Sequence, residues 1–148
     1  MKLTAKARYA VTAMADIAAF GAGAPVSLAE ISERQVISRS FLEQLFRQLR
    51  LADLVTSHRG ATGGYQLAHG ADDIKIAQIV TAVDEPLRTT ACIPGQVIGC
   101  RGTTARCLTH DLWYDLGVHI EDYLGSITLA DVIAKQPAAD IRRKEVRL

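Results

Sequence analysis

The sequence predicts a mainly α-helical protein with a small β-hairpin, a winged helix-turn-helix followed by a long C-terminal helix. Three observations predict it. Two amphipathic helical segments are joined by a three-residue connector, Val36-Ile37-Ser38. Two short strand-like runs follow, separated by a Gly-rich turn that reads as a hairpin. Farther on, Leu108, Leu112, Leu116, Ile120 and Leu124 recur every four residues, marking one long helix with an apolar stripe.

The first helix starts at Thr4, whose hydroxyl can cap it, and its apolar face is expected from Tyr9, Ala10, Val11, Met14, Ile17 and Ala18. Gly21-Ala22-Gly23-Ala24-Pro25 ends it. Ser27-Leu28-Ala29-Glu30 is a capping box that opens a short helix to about Arg34. The next helix buries Phe41, Leu42, Leu45, Phe46 and Leu49, and offers Ser38, Arg39, Ser40, Glu43, Gln44, Arg47 and Arg50 on its other face. The strands are 54–57 and 65–67, around His58-Arg59-Gly60-Ala61-Thr62-Gly63-Gly64. That loop lacks the Gly-Lys-Ser/Thr ending and following helix of a nucleotide-binding loop. Ile76, Ile79, Val80 and Val83 make a further short helix, stopped at Asp84-Glu85-Pro86.

A recognition helix of this kind can enter the roughly 12 Å major groove and present polar side chains to base edges. Gln44 suits adenine, Glu43 suits the amino group of cytosine, and Arg59 with Gly60 sits where a wing reaches phosphate or the minor groove. The competing reading is a three-helix core whose hairpin serves protein contacts.

Composition bears on this indirectly. The 148 residues suit one domain with an appended arm, and 49% hydrophobic content excludes a disordered chain. The total charge is only +1, which by itself argues against a simple nucleic-acid binder. It is a cancellation, however. Residues 1–60 carry eight basic and five acidic side chains, residues 61–140 five and ten, and residues 141–148 four and one. A basic first segment is thus joined to an acidic one, with a short basic tail. No apolar run is long enough to span a membrane, and Met1-Lys2-Leu3-Thr4 opens no signal peptide, so a cytoplasmic location without membrane contact is expected.

All three cysteines fall in or beside a stretch, Pro86 to Arg106, where apolar periodicity vanishes. Cys92, Cys100 and Cys107, with His110, are spaced Cys-x7-Cys-x6-Cys-x2-His. Four soft or borderline donors around a loop with no core of its own point to a bound metal, which would offset the ordering cost. Cys107 and His110 are expected in the first turn of the long helix, where positions i and i+3 share a face and a thiolate is favoured. Tetrahedral zinc and a [2Fe–2S] cluster both accept such donors, and the spacing does not choose between them. Free buried cysteines or a thiol redox switch are the metal-free readings.

The stripe Leu108, Leu112, Leu116, Ile120 and Leu124, widened by Trp113 and Tyr123, needs a partner surface, expected to be a second copy of the chain. Two-fold symmetry would match a palindromic DNA site with half-sites about 34 Å apart. Thr128-Leu129-Ala130-Asp131 caps a last short helix to about Ala134. The expected organisation is a DNA-reading unit over 1–85, a metal loop over 86–106, a pairing helix and short helix over 107–135, and a mobile basic tail over 136–148. No nucleophile–base pair or carboxylate pair suggests an enzyme.

Several runs resemble the bacterial iron–sulfur cluster regulators of the IscR group: Leu3-Thr4-Ala5-Lys6-Ala7-Arg8-Tyr9-Ala10-Val11-Thr12-Ala13-Met14, Ile31-Ser32-Glu33-Arg34-Gln35 and Leu42-Glu43-Gln44-Leu45-Phe46. Arg59-Gly60 with Gly63-Gly64-Tyr65, Ala82-Val83-Asp84-Glu85 and Cys107-Leu108-Thr109-His110 before Leu112-Trp113 extend the resemblance over roughly residues 2–133. It implies a homodimeric winged-helix transcription factor with a [2Fe–2S] cluster on Cys92, Cys100, Cys107 and His110, supplied by cluster assembly proteins. It also implies repression of cluster-assembly genes by the loaded form. Ser40, Glu43, Gln44 and Arg59 match positions expected at DNA, with Glu43 letting the cluster-free form reject one class of site. The cysteine intervals here are longer than the family's. A nitric-oxide- or redox-sensing regulator of the same fold, and a zinc-stabilised protein-interaction module, are the alternatives.

Overall fold

The structure, a computed structural model, describes residues 3–83, 89–90, 98–99 and 101–135. Their elements run α1 (Ala5–Phe20), α2 (Leu28–Gln35), α3 (Arg39–Leu51), β1 (Val55–His58), β2 (Gly64–Leu67), α4 (Ile76–Val83), α5 (His110–Ser126) and α6 (Leu129–Ala134). The order is the expected one. No helix among the described residues is long and apolar enough to cross a membrane.

Local chemistry accounts for the helix starts. The Thr4 hydroxyl accepts from the Ala7 amide at 3.2 Å. Ser27 and Glu30 close the capping box reciprocally, with the Glu30 carboxylate accepting from the Ser27 amide at 2.8 Å and Ser27 Oγ from the Glu30 amide at 3.2 Å. The Ser27 backbone bond, helped by the Ser27 hydroxyl, holds the Glu30 carboxyl below its ordinary value. Thr128 and Asp131 repeat the arrangement at α6.

The core gathers α1, α3 and α4 around Met14, Ile31, Leu42, Leu45, Phe46, Leu49, Ile74 and Ile79. On α1 the buried face differs from the expected one. Ala7, Ala10 and Ala13 are buried beside Met14 and Ile17, whereas Tyr9 is exposed with its edge against Phe41. Small side chains let α4 and α6 lie close to α1, while a phenol is better placed half in water. The last helix joins this core: Leu129 is fully buried, and its amide donates to Ile74 O at 2.9 Å.

One charge is also inside. Asp16 is buried on α1, where Arg34 reaches it with two nitrogens at 2.7 and 3.0 Å and Gln35 with its amide at 2.7 Å. Arg34 also lies over the Phe20 ring at 4.9 Å. This clamp fixes α2, the first helix of the helix-turn-helix, to α1.

The connector between α2 and α3 carries strain. Val36 caps α2 at φ 55 and ψ 46, in the left-handed region, with 91% of its surface exposed. A β-branched residue is poorly tolerated there, and its side chain gains no packing in return. Val36→Gly should therefore stabilise the fold by about 1 kcal/mol, the released strain exceeding the added chain entropy. Thermal unfolding would show a midpoint raised by roughly 2–4 °C. A lowered midpoint would contradict the strain.

Candidate nucleic-acid interface and metal centre

The recognition helix has an amphipathic division that follows from residue spacing. Leu42, Leu45, Phe46 and Leu49 are buried, so Ser40, Glu43, Gln44, Arg47 and Arg50 face solvent. Ser38 is the N-cap, its hydroxyl accepting from the Phe41 amide at 3.3 Å. Its primary role is thus structural. Arg39 leans on Glu43 at 3.7 Å, an exposed i,i+4 pair that tempers the one carboxylate on this face.

The wing pairs Val55 with Leu67 through His58 with Gly64, antiparallel, leaving Arg59 and Gly60 exposed at the turn. Gly60 has φ 117, a value open to glycine. Gly64 is required for another reason: a Cβ there would overlap the Val26 backbone. That close approach lets Val26 and Tyr65 exchange backbone hydrogen bonds of 2.8 and 2.9 Å, joining the hairpin to the start of α2. The Gly-rich loop thus serves backbone packing. Inside, Phe46 meets Tyr65 with ring centroids 4.8 Å apart and holds α3 and the wing together.

Spacing alone did not reveal Lys6. It joins Phe41, Gln44, Leu45, Arg47, Gln48 and Leu51 around a concavity of about 310 Å³ between α1 and the outer part of α3. Among the described residues, Lys6, Arg47, Arg50 and Arg59 make no ion pair, leaving four cations available to phosphate. The α1–α3 packing brings Lys6 there, and nothing local to residue 6 signals it.

At the other end of the chain, α5 begins at His110, so Cys107 lies in the preceding turn and not in the first helical turn. The reason is local: Thr109 makes no side-chain cap bond, and the His110 amide donates to Cys107 O at 3.1 Å across a tight turn. His110 is buried, with 7% exposure, and its ring stacks on Tyr114 at 6.2 Å. Cys107 is half-buried, its Sγ 3.8 Å from Thr109 Oγ1. Cys92 and Cys100 lie outside the described residues, and no set of three metal-binding side chains occurs among the described residues. The Gly99 amide donates to Thr103 O at 2.6 Å, and the Gly102 amide to Gly99 O at 3.0 Å.

The described half of the set fits a metal centre in its chemistry. A thiol with an imidazole three residues on, at a helix start, supplies the soft and borderline donors that zinc or a [2Fe–2S] cluster accepts.

The expected pairing stripe divides along its length. Leu108 precedes the helix and is fully exposed, and Leu112 is 60% exposed, whereas Leu116, Ile120 and Leu124 are half-buried within the chain. A strict four-residue repeat gains about 40° per step on a helix of 3.6 residues per turn, so it winds around the cylinder. The large apolar side chains that α5 leaves exposed are Leu112, Trp113, Tyr114, Val118 and Tyr123. Residues 84–88 and the basic tail 136–148 lie outside the described residues.

Comparison with known proteins places these features. The model of the Rrf2 family, described as iron-dependent transcriptional regulators, matches residues 3–135. The chain belongs to the Rrf2 family. It is 50% identical over 141 residues to the HTH-type transcriptional regulator IscR of Sodalis glossinidius, covering 95% of this chain and 84% of that one. Among solved structures it is similar to T. potens IscR, with TM-score 0.73, 38% identity and coverage of 94% of this chain and 90% of the other. It is also similar to CymR, the global cysteine regulator of B. subtilis, with TM-score 0.78, 29% identity and coverage of 93% and 99%. The chain is therefore an IscR-like winged-helix transcriptional regulator rather than an enzyme, and membership brings DNA and a second copy of the chain as partners at the family level.

Proposed function

We propose that this Rrf2 protein is a cluster-dependent repressor that binds palindromic promoter sites as a homodimer and acts on cluster-assembly genes when a [2Fe–2S] cluster is present. The observation that carries this is His110, buried at the start of α5 one turn after Cys107, in a chain half identical to an IscR. Cys92, Cys100, Cys107 and His110 hold the cluster, which arrives from assembly proteins and supplies iron open to redox change. The backbone resembles both IscR and CymR, so the fold does not choose the signal; the Cys3His donor set supports a cluster as the sensing group. A nitric-oxide or redox signal at the same centre is the second reading.

At DNA, Ser40, Glu43, Gln44 and Arg47 read the major groove, Ser38 and Arg39 flank it, and Arg59 with Gly60 extends to the minor groove. Residues 1–85 form the reading unit, 86–106 the ligand segment and 107–135 the pairing unit, with Leu112 and the aromatic residues of α5 covered by the second copy. The protein acts in the cytoplasm, where thiolate ligands stay reduced.

The test is binding of the loaded and cluster-free protein to one operator duplex at fixed salt. Loading should change the affinity, and Arg59→Ala should weaken the loaded form by about tenfold while leaving its visible spectrum unchanged. Equal affinity in the two states contradicts cluster dependence. Undiminished binding by Arg59→Ala contradicts the wing assignment.

A further inference from the structure

We propose that Lys6 binds DNA phosphate on the one flank of the recognition helix that has no cation of its own. The inference rests on reading α3 as the helix that enters the major groove. With its side chains such a helix is about 10–12 Å across, close to the roughly 12 Å groove width, so phosphates of both groove walls lie against its flanks. Successive residues turn by about 100°. Arg39 and Arg50 then fall within about 20° of each other on one flank, and Phe41 and Gln48 within about 20° on the other. Ser40, Glu43, Gln44 and Arg47 lie between the two flanks. The first flank has its cations. The second offers only a phenyl ring and an amide.

The missing charge comes from α1. Lys6 is exposed in the first turn of that helix, and packing of α1 on α3 places it at the concavity of about 310 Å³ that Gln44, Arg47 and Gln48 also line. Among the described residues no carboxylate lines this concavity, and neither Lys6 nor Arg47 makes an ion pair. Two like charges beside one hollow repel each other in the free protein, and an anion seated there removes that cost. The apolar part of the lining suits deoxyribose: Phe41 is half-buried and Leu51 is 74% exposed. A sugar–phosphate strand therefore matches both parts of the lining. Lysine acts there as a point charge on a flexible stem, so the contact adds affinity and carries no sequence information.

The experiment titrates the full chain, purified without oxygen, into A·T-rich and G·C-rich duplexes at a series of sodium chloride concentrations. Lys6→Gln should weaken binding to both, and should make the slope of log affinity against log salt shallower by about 0.9 for each bound head. Lys6→Arg, which keeps the cation, should restore the slope. Lys6→Glu should weaken binding beyond Lys6→Gln at low salt, a difference that lost packing would not produce. Arg50→Gln, on the opposite flank, should flatten the slope by the same amount as Lys6→Gln. Flattening by Arg50→Gln alone overturns the Lys6 contact and leaves α3 in the groove. A Lys6→Gln loss confined to one duplex overturns phosphate binding in favour of base reading. A parental slope in both glutamine variants overturns the groove reading of α3 and the Lys6 contact with it.

Discussion

Arg34→Met should destabilise the fold by about 3 kcal/mol, lowering the thermal midpoint by roughly 6–12 °C. The asymmetry of the pair sets this size. The Asp16 side chain has no exposed surface, whereas that of Arg34 is 32% exposed, so removing Arg34 strands a carboxylate that cannot reach water. Gln35 alone then faces it. Truncating a buried pair on one side costs more than replacing both partners with apolar groups, because the penalty lies in the uncompensated charge. Asp16→Leu with Arg34→Met should consequently recover much of the loss. Unfolding midpoints of the single and double variants check this, and a single variant as stable as the parent contradicts it. The clamp bears on function because α2 packs on α3, and α3 carries the residues proposed to face the groove.

His110→Ala should abolish stable cluster retention, a larger functional effect than any single change at the DNA face. Removing one of the four proposed ligands would open a coordination position on iron, and the imidazole sits buried at the helix start. Iron content and visible absorption of the anaerobically purified variant measure this, with circular dichroism as the folding control. A folded variant with parental iron content and spectrum would remove His110 from the ligand set.

Much of the fold was legible because its signals are local. Ser27 and Glu30 state the start of α2 within four residues, and Leu42, Leu45, Phe46 and Leu49 state the inner face of α3 by spacing alone. The proposed donors stand in the sequence as residue types, and the structure describes two of the four: Cys92 and Cys100 lie outside the described residues, and Cys107 falls before α5 rather than in it. Contacts between distant segments left no mark in the sequence. Lys6 beside Arg47, Asp16 under Arg34, and Thr89 in the Gly117 notch each depend on packing that no periodicity encodes. The leucine stripe divides for a physical reason. Four-residue spacing looks like one face but drifts around the helix, so its early members stay in solvent while Leu124 turns toward the core.

Charge is the remaining link between fold and function. The unpaired cations Lys6, Arg47, Arg50 and Arg59 belong to the basic first segment, while α5 contributes Asp111, Asp115, Glu121 and Asp122 to the acidic one. Such a separation attracts phosphate to one region of the molecule without a large total charge.

Cys92, Cys100, Cys107 and His110 are proposed to hold an iron–sulfur cluster in this chain. The most direct test is the iron, sulfide and zinc content of protein purified without oxygen, together with its visible spectrum. A coloured protein with about two iron and two sulfide per chain is the expected result. A colourless protein with about one zinc per chain would contradict it.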